Sequence, residues 1–421
     1  VSVLHLVRQL RQAYPDRQFV PVFWMGGEDH DFDEVNHFHL FGKRLTWADE
    51  QGGPVGSYRT DSLQPVLEEL AAILGQSDRA VAVAAQLRAF FRSGRPYRAG
   101  VRDLLNWIFK DHGLVLINAG TVAFKRQLIP ILREELLHQT SQPLVEETGV
   151  RLEKAGFGQQ AHARAINVFY LQPGQRARIE RREDGDYQVL GTDLVFSQQA
   201  LLQELEQHPE RFSPNVILRP LFQETILPNL AYVGGGGELA YWLERKTQFA
   251  HYQVPFPMLI RRCSVLWIPP SISKLLDKFE MDTALVFTDV HQLLKQYVVE
   301  QSDEALSLAE YKVALEEVFG RLTQKITRID PGLEKSVLAQ QANTQKAIDK
   351  LEQRLIRAEK HKNESSIQQL QKLKAPLFPN RGLQERYDNF FGFYLRYGDD
   401  FIHTLLEHLD PLKKQFWVIR D

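Results

Sequence analysis

Cysteine is almost absent from this chain: Cys263 is the single one among 421 residues. A lone thiol excludes a disulfide within the chain and suits a reducing compartment, which points to the cytoplasm. Only the Arg261-Arg262 pair before it could lower its pKa, so Cys263 reads as a small buried hydrophobe rather than a nucleophile. A charge excess is missing too. Lysine and arginine number 51 against 53 aspartates and glutamates, so no global field draws the chain to nucleic acid or an anionic membrane. No apolar run has transmembrane length, and nothing resembles a signal peptide. There is no initiator methionine either. Val1-Ser-Val-Leu-His-Leu-Val-Arg-Gln-Leu-Arg has helical apolar spacing with no N-cap in front, so the chain is expected to begin inside a helix, after a first strand and its phosphate loop. The length leaves room for two or three domains.

What is present is concentrated in Phe19-Val-Pro-Val-Phe-Trp-Met-Gly-Gly-Glu-Asp-His-Asp-Phe-Asp-Glu-Val-Asn-His37. An apolar, β-branched and aromatic run reads as a buried strand, Gly26-Gly27 lets the backbone turn, and five carboxylates with two histidines follow. In open α/β sheets ligands bind past strand carboxyl ends, so Glu28, Asp29, His30 and Asp31 are candidates for acid–base chemistry. If residues 29–39 are helical, His30, Glu34 and His37 share a face that could hold a divalent metal, although the order differs from the H-E-x-x-H of zinc proteases. The competing structural reading has Asp29 and Asp31 capping a helix, with His37 and His39 satisfied by hydrogen bonds.

Residues 57–110 have helical periodicity and read as a covering layer. Gly113-Leu-Val-Leu-Ile-Asn118 reads as another buried strand, and the alternating segments from Asn167 to Leu190, broken at Pro173-Gly174 and Asp184-Gly185, as a small antiparallel insert. Between Asn215 and Trp242 two more strand exits are expected. At the second, Gly234, Gly235, Gly236 and Gly237 precede Glu238-Leu-Ala-Tyr-Trp-Leu, an order in which backbone N–H groups can approach a phosphate at a helix start. Arg219 and Glu224 could grip an anion and an amine, or be halves of a buried ion pair. From about 303 to 375 the Ala, Glu, Lys, Gln and Leu content, broken by Pro331-Gly332, predicts a helical hairpin whose Ile348, Leu351, Leu355 and Ala358 face a partner, hence a dimer. The aromatic tail after Leu377 is expected to return to a core.

Four segments together resemble a known family, the bacillithiol biosynthesis cysteine-adding enzymes, or cysteine ligases. They are Pro21-Val-Phe-Trp-Met-Gly-Gly-Glu-Asp-His-Asp-Phe-Asp-Glu-Val-Asn-His37, His162-Ala-Arg-Ala-Ile-Asn167, Leu218-Arg-Pro-Leu-Phe-Gln-Glu-Thr-Ile-Leu-Pro-Asn-Leu-Ala-Tyr-Val-Gly-Gly235 and Leu377-Phe-Pro-Asn-Arg-Gly-Leu-Gln-Glu-Arg386. The resemblance implies an α/β, Rossmann-like nucleotide-binding core with inserted connecting segments and a long α-helical coiled-coil hairpin used for dimerisation. On this chain that gives a core over 1–302 with inserts at about 57–110 and 150–212, a coiled coil over 303–375, and a returning segment over 376–421. The implied reaction adds L-cysteine to the amine of glucosaminyl malate, the last step toward bacillithiol. Two positions depart from the family's pattern. Gly236 stands where a proline is expected, loosening the loop, and Asn118 where an acidic residue is expected, removing a charge.

An amide made from a carboxylate needs an activated acyl group, so a nucleotide, ATP or ADP, is the expected cofactor. Gly26, Gly27, Gly234–Gly237 and Glu238 are its candidate contacts, with Arg219 neutralising developing charge. His30 is the candidate base, oriented by Asp29 or Asp31, with Glu28 beside them. Asn36, His37, Arg164, Asn167, Arg219, Glu224, Asn229, Tyr232 and Trp242 are candidate substrate contacts, and no metal is assigned. The alternatives are a metal-dependent hydrolase on the His30/Glu34/His37 face, a synthetase-like nucleotidyltransferase faintly suggested by Ser271-Ile-Ser-Lys274, and a non-catalytic scaffold built on the hairpin.

Overall fold

The computed structural model describes residues 1–290, 292–294, 297, 307–362 and 364–421. It divides into one unit of Val1–Ser264 with Asp388–Trp417 and a second of Val265–Tyr387 with Val418–Asp421.

In the first unit helix α1 (Ser2–Ala13) precedes strand β1 (Val22–Met25), the carboxyl-terminal part of the expected apolar strand over 19–25. The helix over 29–39 on which the shared face of His30, Glu34 and His37 depended does not form. Residues 32–36 make a turn, and Asn36 leads into β2 (His37–Leu40), which pairs antiparallel with β3 (Lys43–Thr46) through Phe41 and Gly42, both at positive φ. Period two outweighs the helical spacing here because Leu40 and Leu45 are buried against the same aromatic cluster. The covering layer appears as α2 (Gln64–Leu74), α3 (Asp78–Phe90) and α4 (Tyr97–Phe109). Its Leu67, Leu70, Val83 and Leu87 pack with Trp47, Tyr58 and Phe391, so the aromatic tail does return to a core.

Strand β4 (Val115–Asn118) runs parallel to β1 with Met25 opposite Asn118, which brings the two carboxyl ends together. Helix α5 (Val122–His138) leaves from that end and α6 (Ser141–Lys154) follows. The insert is a five-stranded antiparallel sheet in the order β8-β7-β6-β5-β9, made of β5 (Val168–Gln172), β6 (Gln175–Arg181), β7 (Tyr187–Val189), β8 (Val195–Phe196) and, after α7 (Gln198–Gln207), β9 (Phe212–Pro214).

Only one of the two strand exits expected between Asn215 and Trp242 is found. Residues 216–218 are a turn into α8 (Arg219–Ile226), whose Pro220 suits a first helical turn. The other exit is present: β10 (Ala231–Gly234) is parallel to β11 (Met258–Arg261), with α9 (Gly236–Leu243) and α10 (Lys246–His251) between them. One apolar core, including Leu128, Leu132, Tyr187, Phe212, Phe222 and Trp242, joins α5, the insert, α8 and α9. These short parallel pairs with crossover helices are the Rossmann-like part of the fold.

In the second unit the hairpin helices are Ala309–Ile329 and Glu334–Lys362, joined across Pro331–Leu333. Lys312 bridges them to Asp349 at 2.8 Å and Glu352 at 2.7 Å. Residues 303–306 and 363 of the predicted helical stretch lie outside the described residues. Helix α11 (Pro270–Lys278) and the helix Glu364–Leu377 close a separate core with Leu266, Ile268, Leu276, Leu373 and Leu377. Ser271–Lys274 lies inside α11. Among the described residues no helix is long and apolar enough to cross a membrane.

Candidate functional site

The turn after β1 is pinned from outside. Gly56 N–H donates to Gly27 O at 3.2 Å and Val55 N–H to Asp29 O at 2.8 Å. A side chain at Gly56 would begin 2.5 Å from Gly27 O, so only glycine permits the approach. This fixes the backbone that carries Glu28, Asp29 and His30.

Glu28 lies at the meeting point of three elements. Its Oε2 accepts from Lys125 Nζ of α5 at 2.7 Å and from Ser213 Oγ of β9 at 2.9 Å. Lys125 is fully buried, also donates to Phe212 O at 2.9 Å, and stands 5.3 Å over the Phe222 ring. Burial lowers the pKa of this ammonium and the adjacent Glu28 carboxylate opposes the shift. The other oxygen, Glu28 Oε1, is buried without a hydrogen-bond partner among the described residues.

Arg176 of β6 is the second organiser, its side chain 5% exposed. It donates to His30 Nδ1 at 3.0 Å, Ser213 Oγ at 3.3 Å and Pro214 O at 3.3 Å, approaches Asp29 to 3.8 Å, and covers the Phe169 ring at 4.0 Å. Desolvation, and then Arg176, hold His30 below its ordinary pKa, with Asp29 and Asp31 opposing. A guanidinium only donates, so the hydrogen of the neutral ring is assigned to Nε2. The orienting partner expected to be Asp29 or Asp31 is therefore Arg176, and the ring presents a donor where a base was expected.

The exit at β10 is built differently. Glu238 Oε2 accepts from Gly235 N–H at 2.6 Å and Glu238 Oε1 from Tyr232 OH at 3.2 Å, so the helix start is capped by its own carboxylate. Arg219 donates to Tyr241 OH and to Gln223 Oε1 at 3.3 Å. Tyr232 stacks on Trp242 with centroids 4.0 Å apart. Glu224, 2% exposed, accepts from Asn229 N–H at 2.9 Å and Asn229 Nδ2 at 2.7 Å, and burial pushes its pKa up to about 7. Helix α8 borders both exits. Its Phe222 meets Trp24 of β1 edge-on at 5.4 Å and lies under Lys125, while its Arg219 reaches Tyr241 of α9.

The structure brings Glu28, Asp29 and His30 together, with Asp31 exposed beside them. Gly26 and Gly27 form their turn. Asn36 and His37 stand at the start of β2, where His37 Nδ1 meets Asn36 Oδ1 at 2.8 Å, and Glu34 is exposed in the turn before them. The face shared by His30, Glu34 and His37 is therefore lost, and no group of three or more His, Cys, Asp or Glu among the described residues could hold a metal. Arg219, Glu224, Asn229, Tyr232, Trp242 and Gly234–Glu238 gather around the second exit. Glu224 and the fully buried Trp242 turn inward, contrary to the expectation that they meet substrate. Asn167 is also fully buried, its amide shared by Glu135 Oε1 at 2.7 Å and Arg164 O at 2.7 Å. It holds the loop on which Arg164 and His162 stay exposed. The Cys263 thiol is pushed up by burial, which leaves it protonated.

Lys125, Arg176 and Ser213 were not singled out from the sequence. Lys125 had a signal: it heads the buried stripe Leu128, Ile129 and Leu132 at i+3, i+4 and i+7, where a surface lysine does not belong. Arg176 had none, because its contact with His30 spans 146 positions.

Comparison with known proteins adds a separate finding. A family model described as bacillithiol biosynthesis BshC, N-terminal Rossmann-like domain, matches residues 1–263, and one described as bacillithiol biosynthesis BshC, C-terminal coiled-coil domain, matches residues 265–420. A protein from Christiangramia forsetii named "putative cysteine ligase BshC" is 38% identical, covering 100% of this chain and 78% of the relative. One of the same name from Flavobacterium johnsoniae is 38% identical over 100% of this chain and 79% of its own, and one from Salinibacter ruber 31% over 94% and 76%.

Proposed function

From the premise that the chain belongs to the BshC family of bacillithiol biosynthesis, we propose that it is a cytoplasmic ligase joining L-cysteine to the amine of glucosaminyl malate. The observation that carries the site assignment is the convergence of Glu28, Lys125, His30 and Arg176 at the carboxyl ends of two parallel strands. In the amide-forming step the amine nitrogen attacks the activated cysteinyl carbonyl carbon. The C–N bond forms, the bond to the leaving oxygen breaks, and the nitrogen releases a proton. Glu28 has the free acceptor for a hydrogen of that amine, and His30 Nε2–H a donor for the carbonyl oxygen. Arg164, Asn36 and His37 complete the proposed substrate contacts.

Activation of the carboxyl group is proposed to use a nucleotide, ATP or ADP. The glycine loop as it stands does not fit a phosphate, because the Glu238 carboxylate already holds the Gly235 amide and would repel an anion there. No step is assigned to that loop. The chain is further proposed to act as a homodimer through the hairpin. No residue of Ala309–Ile329 is buried, and Leu351 and Leu355 of the facing helix are 52% and 43% exposed. Leu351→Glu with Leu355→Glu should halve the mass seen by sedimentation.

Deleting the gene and restoring it tests the reaction itself. Mass spectrometry should show bacillithiol lost and glucosaminyl malate accumulated, with rescue by the wild-type gene. Unchanged bacillithiol in the deleted cells would contradict the assignment.

A further inference from the structure

Glu28 is held from one side only. Its Oε2 is saturated by Lys125 and Ser213, while Oε1 accepts nothing from the described residues although it is buried. An unpaired buried carboxylate oxygen is costly, and active sites are where such a deficit is kept because a ligand removes it. What lies beside Oε1 is Gly120, between β4 and α5. A Cβ built there would stand 3.4 Å from Glu28 Oε1 and 3.6 Å from Asn118 Oδ1, with no other heavy atom within 4 Å apart from its chain neighbours. The φ of Gly120 is not in the left-handed region, so the backbone does not require glycine. With no side chain on Gly120, the two oxygen acceptors are all that lies within 4 Å of the place a Cβ would take, apart from its chain neighbours.

Donors are what that place lacks. Asn118 Oδ1 receives only the Gly120 N–H, at 3.2 Å, and a carbonyl oxygen has a second lone pair to offer. The site carries no excess negative charge, because Lys125 offsets Glu28 and the positive end of α5 adds to Lys125. Recognition here therefore runs through hydrogen bonds rather than net charge. A carboxylate oxygen and an amide oxygen that both face the bare Gly120 backbone match a nitrogen that carries at least two hydrogens, and they repel a hydrogen-poor oxygen or a carboxylate.

We propose that Glu28 Oε1, Asn118 Oδ1 and Gly120 form a niche for a primary amino group of a substrate, in which Gly120 determines specificity by leaving the position of its side chain free. Lys125 is a positioning residue: it fixes Oε2 and so aims Oε1. The niche deepens the proposed ligase reading and rests on it for the identity of its occupant, since cysteine and glucosaminyl malate each carry one primary amine.

Binding measured by calorimetry on wild type and Gly120→Ala separates the possibilities. L-cysteine is compared with 3-mercaptopropionate, which lacks the amine, and glucosaminyl malate with its N-acetyl derivative. The amine that occupies the niche should bind wild type at least about tenfold more tightly than its analogue, and Gly120→Ala should abolish that preference. The ligand pair that shows the loss identifies the occupant. The variant is expected to fold, because its Cβ makes no contact closer than 3.4 Å. Should it melt early, Asn118→Ala, which deletes one acceptor, is held to the same expectation. Wild type without amine preference in either pair, or a preference that survives Gly120→Ala, overturns the niche. Turnover measured on the same samples keeps the two readings apart. Amide formation without amine preference sinks the niche alone, whereas amine preference without amide formation sinks the ligase reading alone.

Discussion

Two strand exits in the first unit share one sequence plan, an apolar run, then glycines, then polar groups, and they are put to opposite uses. After β1 the polar groups are held by distant residues, Lys125 of α5 and Arg176 of β6, and one carboxylate oxygen is left without a partner among the described residues. After β10 the polar groups satisfy one another: Glu238 caps Gly235, Tyr232 leans on Glu238 and Trp242, and Glu224 holds Asn229. A glycine-rich exit becomes a site when its acceptors and donors are anchored from elsewhere and stay open. It becomes a structural joint when a nearby side chain reaches back to fill them.

The strongest way to break this contrast is to remove the anchor of the first exit. Lys125→Met leaves the Glu28 carboxylate without its buried cation, and the loss should be about 3–5 kcal/mol in urea unfolding, with amide formation abolished. A fall under 1 kcal/mol would mean the pair organises nothing.

The second exit is tested by pH. Glu224 keeps its proton up to about 7 in the folded chain, whereas an unfolded glutamate loses it near 4.5. Between those values the folded state binds more protons than the unfolded state, so this group makes stability fall as pH rises from about 4.5 to 7 and then level off. The size is about 3 kcal/mol as an upper figure. Glu224→Gln should remove this slope, so the variant gains on wild type as pH rises through that window, measured by unfolding at pH 5 and pH 8.

Glu238→Ala is a smaller change that sharpens the comparison. It should lower stability by about 1 kcal/mol through the lost cap, and the freed Gly235 amide should bind ADP more tightly than wild type in a titration. Equal or weaker binding would leave the loop as a joint only. The smallest effect is electrostatic. Arg176→Met should raise the pKa of His30, followed by its NMR titration, because the larger of the two charges lowering it is removed while the burial that dominates and Arg178 remain.

Much of this arrangement could be read from the chain. The exit at Gly26-Gly27, strand β4, the antiparallel insert with its turns at Pro173-Gly174 and Asp184-Gly185, and the helix α9, which starts at Gly236 within the glycine run rather than after it, are local patterns, set by periodicity and turn chemistry within a few residues. The family resemblance likewise rested on contiguous motifs. The helix that would have put His30, Glu34 and His37 on one face is absent because His37–Leu40 gains more from pairing with Lys43–Thr46 and burying Leu40 than a helix would from its polar face. The inward turn of Glu224, Trp242 and Asn167 and the roles of Lys125 and Arg176 were hidden for one reason. Each depends on which distant segment arrives beside it, and no local spacing encodes that.

The claim that the β1 exit does the chemistry and the β10 exit does not is tested most directly in cells whose gene carries either Glu28→Gln or Glu238→Gln, with bacillithiol and glucosaminyl malate quantified by mass spectrometry. Glu28→Gln should abolish bacillithiol and let glucosaminyl malate accumulate, while Glu238→Gln keeps bacillithiol within a few-fold of wild type. Full bacillithiol in the Glu28→Gln cells, with loss confined to Glu238→Gln, would contradict the account.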